Sequence, residues 1–194
     1  MPDPKRTIKL TDPRALRALA HPTRMKLVGL LRRQGPLTAT QAGALIGEVP
    51  ASASFHLRQL AKYGLVEEAA GGRGRERPWQ ATASFTSWSS AGATPAMAIA
   101  DQMLSTVVAE RYMEQLLTWL DEKPDESLEW QQAALFGDLP LYLTAVELKQ
   151  LGEKLGELLD PFLERVGDPE QRPDGARLVT LIQLAFPTDA ADAR

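Results

Sequence analysis

The sequence predicts a mainly α-helical protein with one small β-hairpin, continued by a second region of long helices with one or two short strands. Three observations carry this. Apolar residues recur at helical spacing between clear start and stop signals over residues 12–63. Two short apolar runs flank a glycine-rich turn over residues 65–82. Beyond Pro95 the apolar positions step by three and four over much longer stretches.

Composition bounds the rest. At 194 residues, with 44% hydrophobic and 24% charged side chains, the chain can bury a real core as one large domain or two small ones. No apolar run approaches the roughly 18–20 residues that span a bilayer, and the N-terminus lacks a signal-peptide stretch, so a cytoplasmic protein is expected. There is no cysteine, which removes disulfides, thiolate metal sites and a thiol nucleophile. Charge is unevenly spread. Residues 1–80 carry 14 Lys/Arg against 6 Asp/Glu, whereas residues 81–194 carry 8 against 19. A basic half suited to a polyanion joined to an acidic half is one reading; charged solvated faces are the other.

The first helix opens with Asp12 as N-cap and Pro13 in its first turn, and carries Leu16, Leu19 and Ala20. His21-Pro22 interrupts it, because a residue before proline avoids the helical conformation. Pro22 opens a second helix through Met25, Leu27, Val28, Leu30 and Leu31, which ends at Gly35-Pro36. Thr38 and Gln41 have capping-box spacing and start a third, running through Ala42, Leu45 and Ile46 to Gly47.

A fourth helix starts near Pro50 or Ser52 and runs to about Tyr63. Ala53, Leu57, Leu60 and Gly64 form a narrow apolar stripe on it. The opposite face holds Ala51, Ser52, Phe55, Arg58, Gln59 and Lys62 and no acid, which favours contact with DNA over plain solvation. His56 lies beside the apolar stripe and is expected to pack or bond to backbone rather than read a base. A strand follows over residues 65–70, then the turn Gly71 to Arg77 with Arg73, Arg75 and Arg77, then a return strand over 78–82. The glycines allow close backbone approach, and the arginines offer paired donors to phosphate. Trp79 is expected to anchor this hairpin on the core.

Helices leading into a hairpin with a basic tip are the order of a winged helix-turn-helix domain. From Leu10 to about Thr82 the sequence resembles the winged-helix regulators of the ArsR family. The resemblance is carried by Ala20-His21-Pro22-Thr23-Arg24, by His56-Leu57, Leu60 and Gly64-Leu65-Val66, and by the arginine-rich wing. It implies DNA contacts from Ser52, Ser54, Phe55, Arg58, Gln59 and Lys62 on the recognition helix and from Arg73, Arg75 and Arg77 on the wing. It also implies that the helix after the wing pairs with its copy across a two-fold axis. Many relatives sense metals through cysteines or through histidines after the wing. This chain has neither, since its two histidines are His21 and His56, so no metal site and no cofactor are expected.

In the second half a long helix runs from Pro95 to about Lys123 with Met97, Ala100, Leu104, Val107, Val108, Leu116, Leu117 and Leu120. Thr144 and Glu147 form another capping box, before a helix carrying Leu148, Leu151, Leu155, Leu158 and Phe162. Residues 139–143 and, more strongly, 177–186 read as short strands, residues 167–175 as a loop, and the last eight residues as frayed. The two helices can pack on each other, on a second copy, or both. Trp119, Trp130, Phe136 and Tyr142 are either core or the lining of a pocket for a small-molecule effector.

The domains expected are a winged helix-turn-helix over residues 10–83 and a helical dimerisation region, with room for an effector, over 95–187. The function expected is a sequence-specific DNA-binding transcriptional regulator, a repressor that binds an inverted repeat as a homodimer. Its partners would be double-stranded DNA and its own copy, with no membrane. No phosphate loop, nucleophile elbow or His–carboxylate cluster supports an enzyme, so no catalytic residue is assigned. The alternative is a winged helix used as a protein-interaction module, which would ordinarily have lost its basic recognition face.

Overall fold

In a computed structural model the chain is described over residues 6–71, 77–88 and 94–188. The elements in order are β1 (Thr7–Leu10), α1 (Pro13–Leu19), α2 (Pro22–Gln34), α3 (Ala39–Ile46), α4 (Pro50–Ala61), β2 (Val66–Glu68), β3 (Trp79–Ala81), β4 (Phe85–Trp88), α5 (Pro95–Glu122), α6 (Leu128–Ala133) and α7 (Ala145–Gly167). Two compact units emerge: Met1–Arg111 with Phe162–Arg172, and Tyr112–Pro161 with Pro173–Arg194.

In the first unit the predicted helix signals all operate. Asp12 caps α1 by accepting the Arg14 backbone N–H at 2.8 Å. The box at the start of α3 closes in both directions: the Thr38 hydroxyl accepts from Gln41 N at 3.2 Å, and the Gln41 side chain accepts from Thr38 N at 2.9 Å. Leu16, Leu27, Leu31, Leu57 and Leu60 are completely buried, and Leu104 of α5 joins the same core. Strand order is simple. β2 and β3 pair antiparallel with Val66 opposite Ala81 and Glu68 opposite Trp79. Leu37 extends that ladder by exchanging both backbone hydrogen bonds with Trp79, at 3.0 and 2.8 Å. Trp79 is buried, as expected of an anchor.

A second small sheet has no counterpart in the sequence reading. β1 runs parallel to β4, with Thr7 opposite Phe85 and Leu10 opposite Trp88. Arg32 of α2 braces the approach to β4, donating to the Ala83 carbonyl at 2.9 Å and the Thr86 hydroxyl at 2.6 Å.

The second unit has regular helices. Ser127 caps α6. The Thr144–Glu147 box opens α7, with Thr144 N donating to the Glu147 carboxylate at 2.8 Å. Arg177 makes a two-point ion pair with Glu126, at 2.7 and 3.1 Å, and lies 4.9 Å from the Trp130 ring centre. No described residue of this unit is buried. Residues 139–143 and 177–186, expected as strands, belong to no strand, and Leu139, Leu178, Leu184 and Phe186 are exposed. Their β-branched and aromatic content favours an extended chain, but a strand also needs a neighbouring backbone, and the described residues supply none. α6 and the proline inside α7, Pro161, were not anticipated. Among the described residues no helix is long and apolar enough to cross a membrane.

Candidate nucleic-acid interface

The site is built around the turn between α3 and α4. Gly47 adopts φ 75°, a left-handed conformation that ends α3 without the cost a side chain would add. Gly43 permits the close approach that follows. The Glu48 backbone N–H donates to the Gly43 carbonyl at 2.9 Å, and a Cβ on Gly43 would sit 2.7 Å from the Glu48 carbonyl oxygen. Pro50 then starts α4.

A small polar and aromatic cluster seats α4 on α2. The Glu48 carboxylate accepts from the Ser52 hydroxyl at 2.8 Å and the Thr23 hydroxyl at 3.1 Å. Those two bonds, Ser52 first, hold its pKa below the usual carboxylate range. His21, the N-cap residue of α2, stacks against His56 of α4 with ring centres 4.7 Å apart and planes tilted by 45°. Each ring keeps a buried Nδ1 without a hydrogen-bond partner. Burial lowers both histidine pKa values, and the Arg24 charge lowers them further. His56 is therefore a packing residue, as its place beside the apolar stripe suggested.

The outer face of α4 comes out as follows. Ala53, Leu57 and Leu60 are buried, while Phe55, Arg58 and Lys62 are exposed. Ser52, Ser54 and Gln59 are half-buried, and the Ser52 hydroxyl is committed to Glu48. Lys62 lies 5.8 Å from the Tyr63 ring centre. Arg77, at the base of the wing, is exposed and lies 3.7 Å from Glu68. Arg73 and Arg75 fall outside the described residues. Phe55 and Gln59 also border an open groove whose other side is formed by Arg14, Arg17, Ala18 and Arg24. Reading the sequence for a recognition face on α4 missed these arginines. Their signal was present, because Arg14 and Arg17 stand three apart, on one face of α1. Among the described residues no group of three or more His, Asp or Glu is placed to hold a metal ion.

Residues 19–69 match the family model described as a helix-turn-helix domain. No curated protein matches the chain. Among solved structures, the chain is similar to the solution NMR structure of the homodimeric winged helix-turn-helix DNA-binding domain of a possible ArsR-family transcriptional regulator from Mycobacterium bovis. That likeness has 21% identity, covers 56% of this chain and 77% of the other, and has a TM-score of 0.32. The family match runs from the end of α1 through β2, and β3, beyond it, pairs with β2 to complete the hairpin wing. The chain therefore carries a winged helix-turn-helix domain, the architecture of the ArsR-type DNA-binding transcriptional regulators that its sequence resembles.

Proposed function

We propose that the protein is a sequence-specific transcriptional repressor that binds an inverted-repeat operator as a homodimer. The observation that carries this is α4 itself. Its apolar stripe is fully committed to the core, and the face left outside combines Phe55, Arg58 and Lys62 with no acid. An outer helix face of this kind is what enters a major groove. Arg58 has the donor pair for guanine, Gln59 the donor and acceptor for adenine, and Phe55 an apolar edge for a thymine methyl. Ser52 and Ser54, near the start of the helix, approach the backbone or base edges, and Lys62 a phosphate. Arg73, Arg75 and Arg77 supply phosphate contacts from the wing.

The dimer is supported by the two faces of α5. Met97, Ala100 and Leu104 are buried, whereas Ile99, Met103, Met113, Leu117 and Leu120 are exposed. The exposed set keeps alternating steps of three and four if Thr106 and Glu110 are included, which is the spacing of a helix–helix seam. A second copy of α5 fits that seam, and two copies of α4 would then read two half-sites about one helical turn, or a multiple of it, apart.

Fluorescence anisotropy with DNA from upstream of the protein's own gene, against a scrambled duplex, tests the reading. Arg58→Ala is expected to cost about 1–3 kcal/mol on the preferred sequence and to relax preference at one position per half-site. Lys62→Ala should weaken both duplexes equally. An Arg58→Ala variant as tight and as selective as the parent would show that this face does not enter the groove.

A further inference from the structure

Contacts from α4 and the wing leave the α1 side of the recognition helix unexplained. Phe55 and Gln59, four residues apart on α4, and Tyr63 in the turn just after it form one wall of an open groove of about 380 Å³. The facing residues are Arg14, Arg17 and Ala18 of α1, with Arg24 of α2, and no acid lines the groove.

The three arginines have different commitments. Arg24 Nε donates to the Ala18 carbonyl and its Nη2 to the Arg17 carbonyl at 3.4 Å, so this side chain ties α2 to the end of α1. Arg14 is exposed and pairs with Asp12, 3.0 Å away, which is also the cap of α1. Arg17 is exposed on the same helix face. The groove thus offers two solvent-facing guanidinium groups opposite an aromatic and amide wall.

That combination fits a sugar–phosphate backbone. Guanidinium groups pair with phosphate oxygens in a two-point geometry, and ring edges lie against deoxyribose. We infer that Arg14 and Arg17 clamp the phosphates of the DNA strand bordering the bases that α4 reads, as a backbone anchor separate from the wing. The inference rests on the DNA-binding reading above. It adds affinity without sequence preference, and Asp12 restrains it by competing with phosphate for Arg14.

The test uses the full chain and a fluorescein-labelled random-sequence duplex titrated at several KCl concentrations. Replacing Arg14 and Arg17 together with alanine, a good helix former, should make the log–log salt dependence shallower by about 0.9 for each arginine. Asp12→Asn keeps a capping side chain while releasing Arg14, and should tighten binding. Thermal melts by circular dichroism check the fold. Should the double variant melt early, Arg17→Gln alone carries the comparison, with a loss of about 0.9 in slope expected. A parent that binds steeply while these variants keep its full slope overturns the clamp and leaves the DNA-binding reading standing. A parent that binds no DNA at low salt overturns both.

Discussion

The two units spend their apolar side chains differently. In the first, Leu16, Leu27, Leu31, Leu57 and Leu60 lie in one interior shared by α1, α2 and α4. In the second, helices with equally clear caps and apolar stripes bury no described residue. The difference shows that caps and periodicity define a helix locally, whereas burial depends on what lies opposite. α7 illustrates this. Its Thr144–Glu147 box forms as the sequence predicts, yet Val146, Leu155 and Leu158 remain exposed. A stripe at coiled-coil spacing is a statement about a missing neighbour as much as about the helix that bears it.

Truncating one leucine on each side is the strongest way to break that contrast. Leu57 is completely buried, so Leu57→Ala should cost about 2–5 kcal/mol at any protein concentration. Leu117 is exposed on the proposed α5 seam. Leu117→Ala should leave the melting temperature of dilute protein unchanged and lower it only where the dimer forms, because association stabilises by mass action. Melts across a range of concentrations, with light scattering, decide the matter. A loss for Leu117→Ala that equals that of Leu57→Ala and ignores concentration would place the seam inside the chain's own core.

A smaller effect sharpens the comparison at the turn between α3 and α4. Gly43→Ala places a Cβ 2.7 Å from a backbone oxygen, which cannot swing aside as a side chain could. Either the turn shifts or α4 loses its seat, at an expected cost of about 1–3 kcal/mol. Gly47→Ala meets nothing within 4 Å but must adopt φ 75°, so its penalty is conformational alone. Chemical denaturation of both variants separates the two causes. A neutral Gly43→Ala would show that the turn is looser than the contact implies.

How much was legible follows the same division. Helices α1 to α4 were readable from Asp12, Pro22, Thr38 and Pro50, because each start signal acts within a few residues of itself. The buried face of α4 was readable from the spacing of Ala53, Leu57 and Leu60. The pairing of β1 with β4 was not, since Thr7–Leu10 and Phe85–Trp88 are short and their partnership spans most of the unit. The arginine groove was hidden for a related reason: Arg14 and Gln59 meet only after α1 packs against α4. The strands expected at 139–143 and 177–186 show the reverse failure. Their apolar composition suggested strands, but composition cannot say whether a neighbouring strand exists.

The smallest expected effect is a pH dependence of the first unit, and it comes from the histidine pair. His21 and His56 face each other, with Arg24 of α2 adding positive charge and Glu48 of the α3–α4 turn adding negative charge. Both histidines have lowered pKa values, chiefly through burial, while the unfolded chain takes up protons near pH 6.5. A lowered folded pKa means the unfolded state binds protons first as pH falls. The stability these rings contribute is therefore complete above about pH 6.5, declines as pH drops through that value, and levels off once the folded pair is also protonated. Glu48 titrates in a separate, more acidic window, because its own pKa is lowered from the carboxylate value. Melting temperatures between pH 7.5 and 5.5 should then fall for the parent and fall less for a His21→Asn, His56→Asn variant, which keeps polar rings' neighbours but has nothing to titrate there. An identical decline in both proteins would show that the acid sensitivity arises elsewhere. A decline confined to below pH 5 would assign it to carboxylates such as Glu48 rather than to the paired rings that seat α4 on α2.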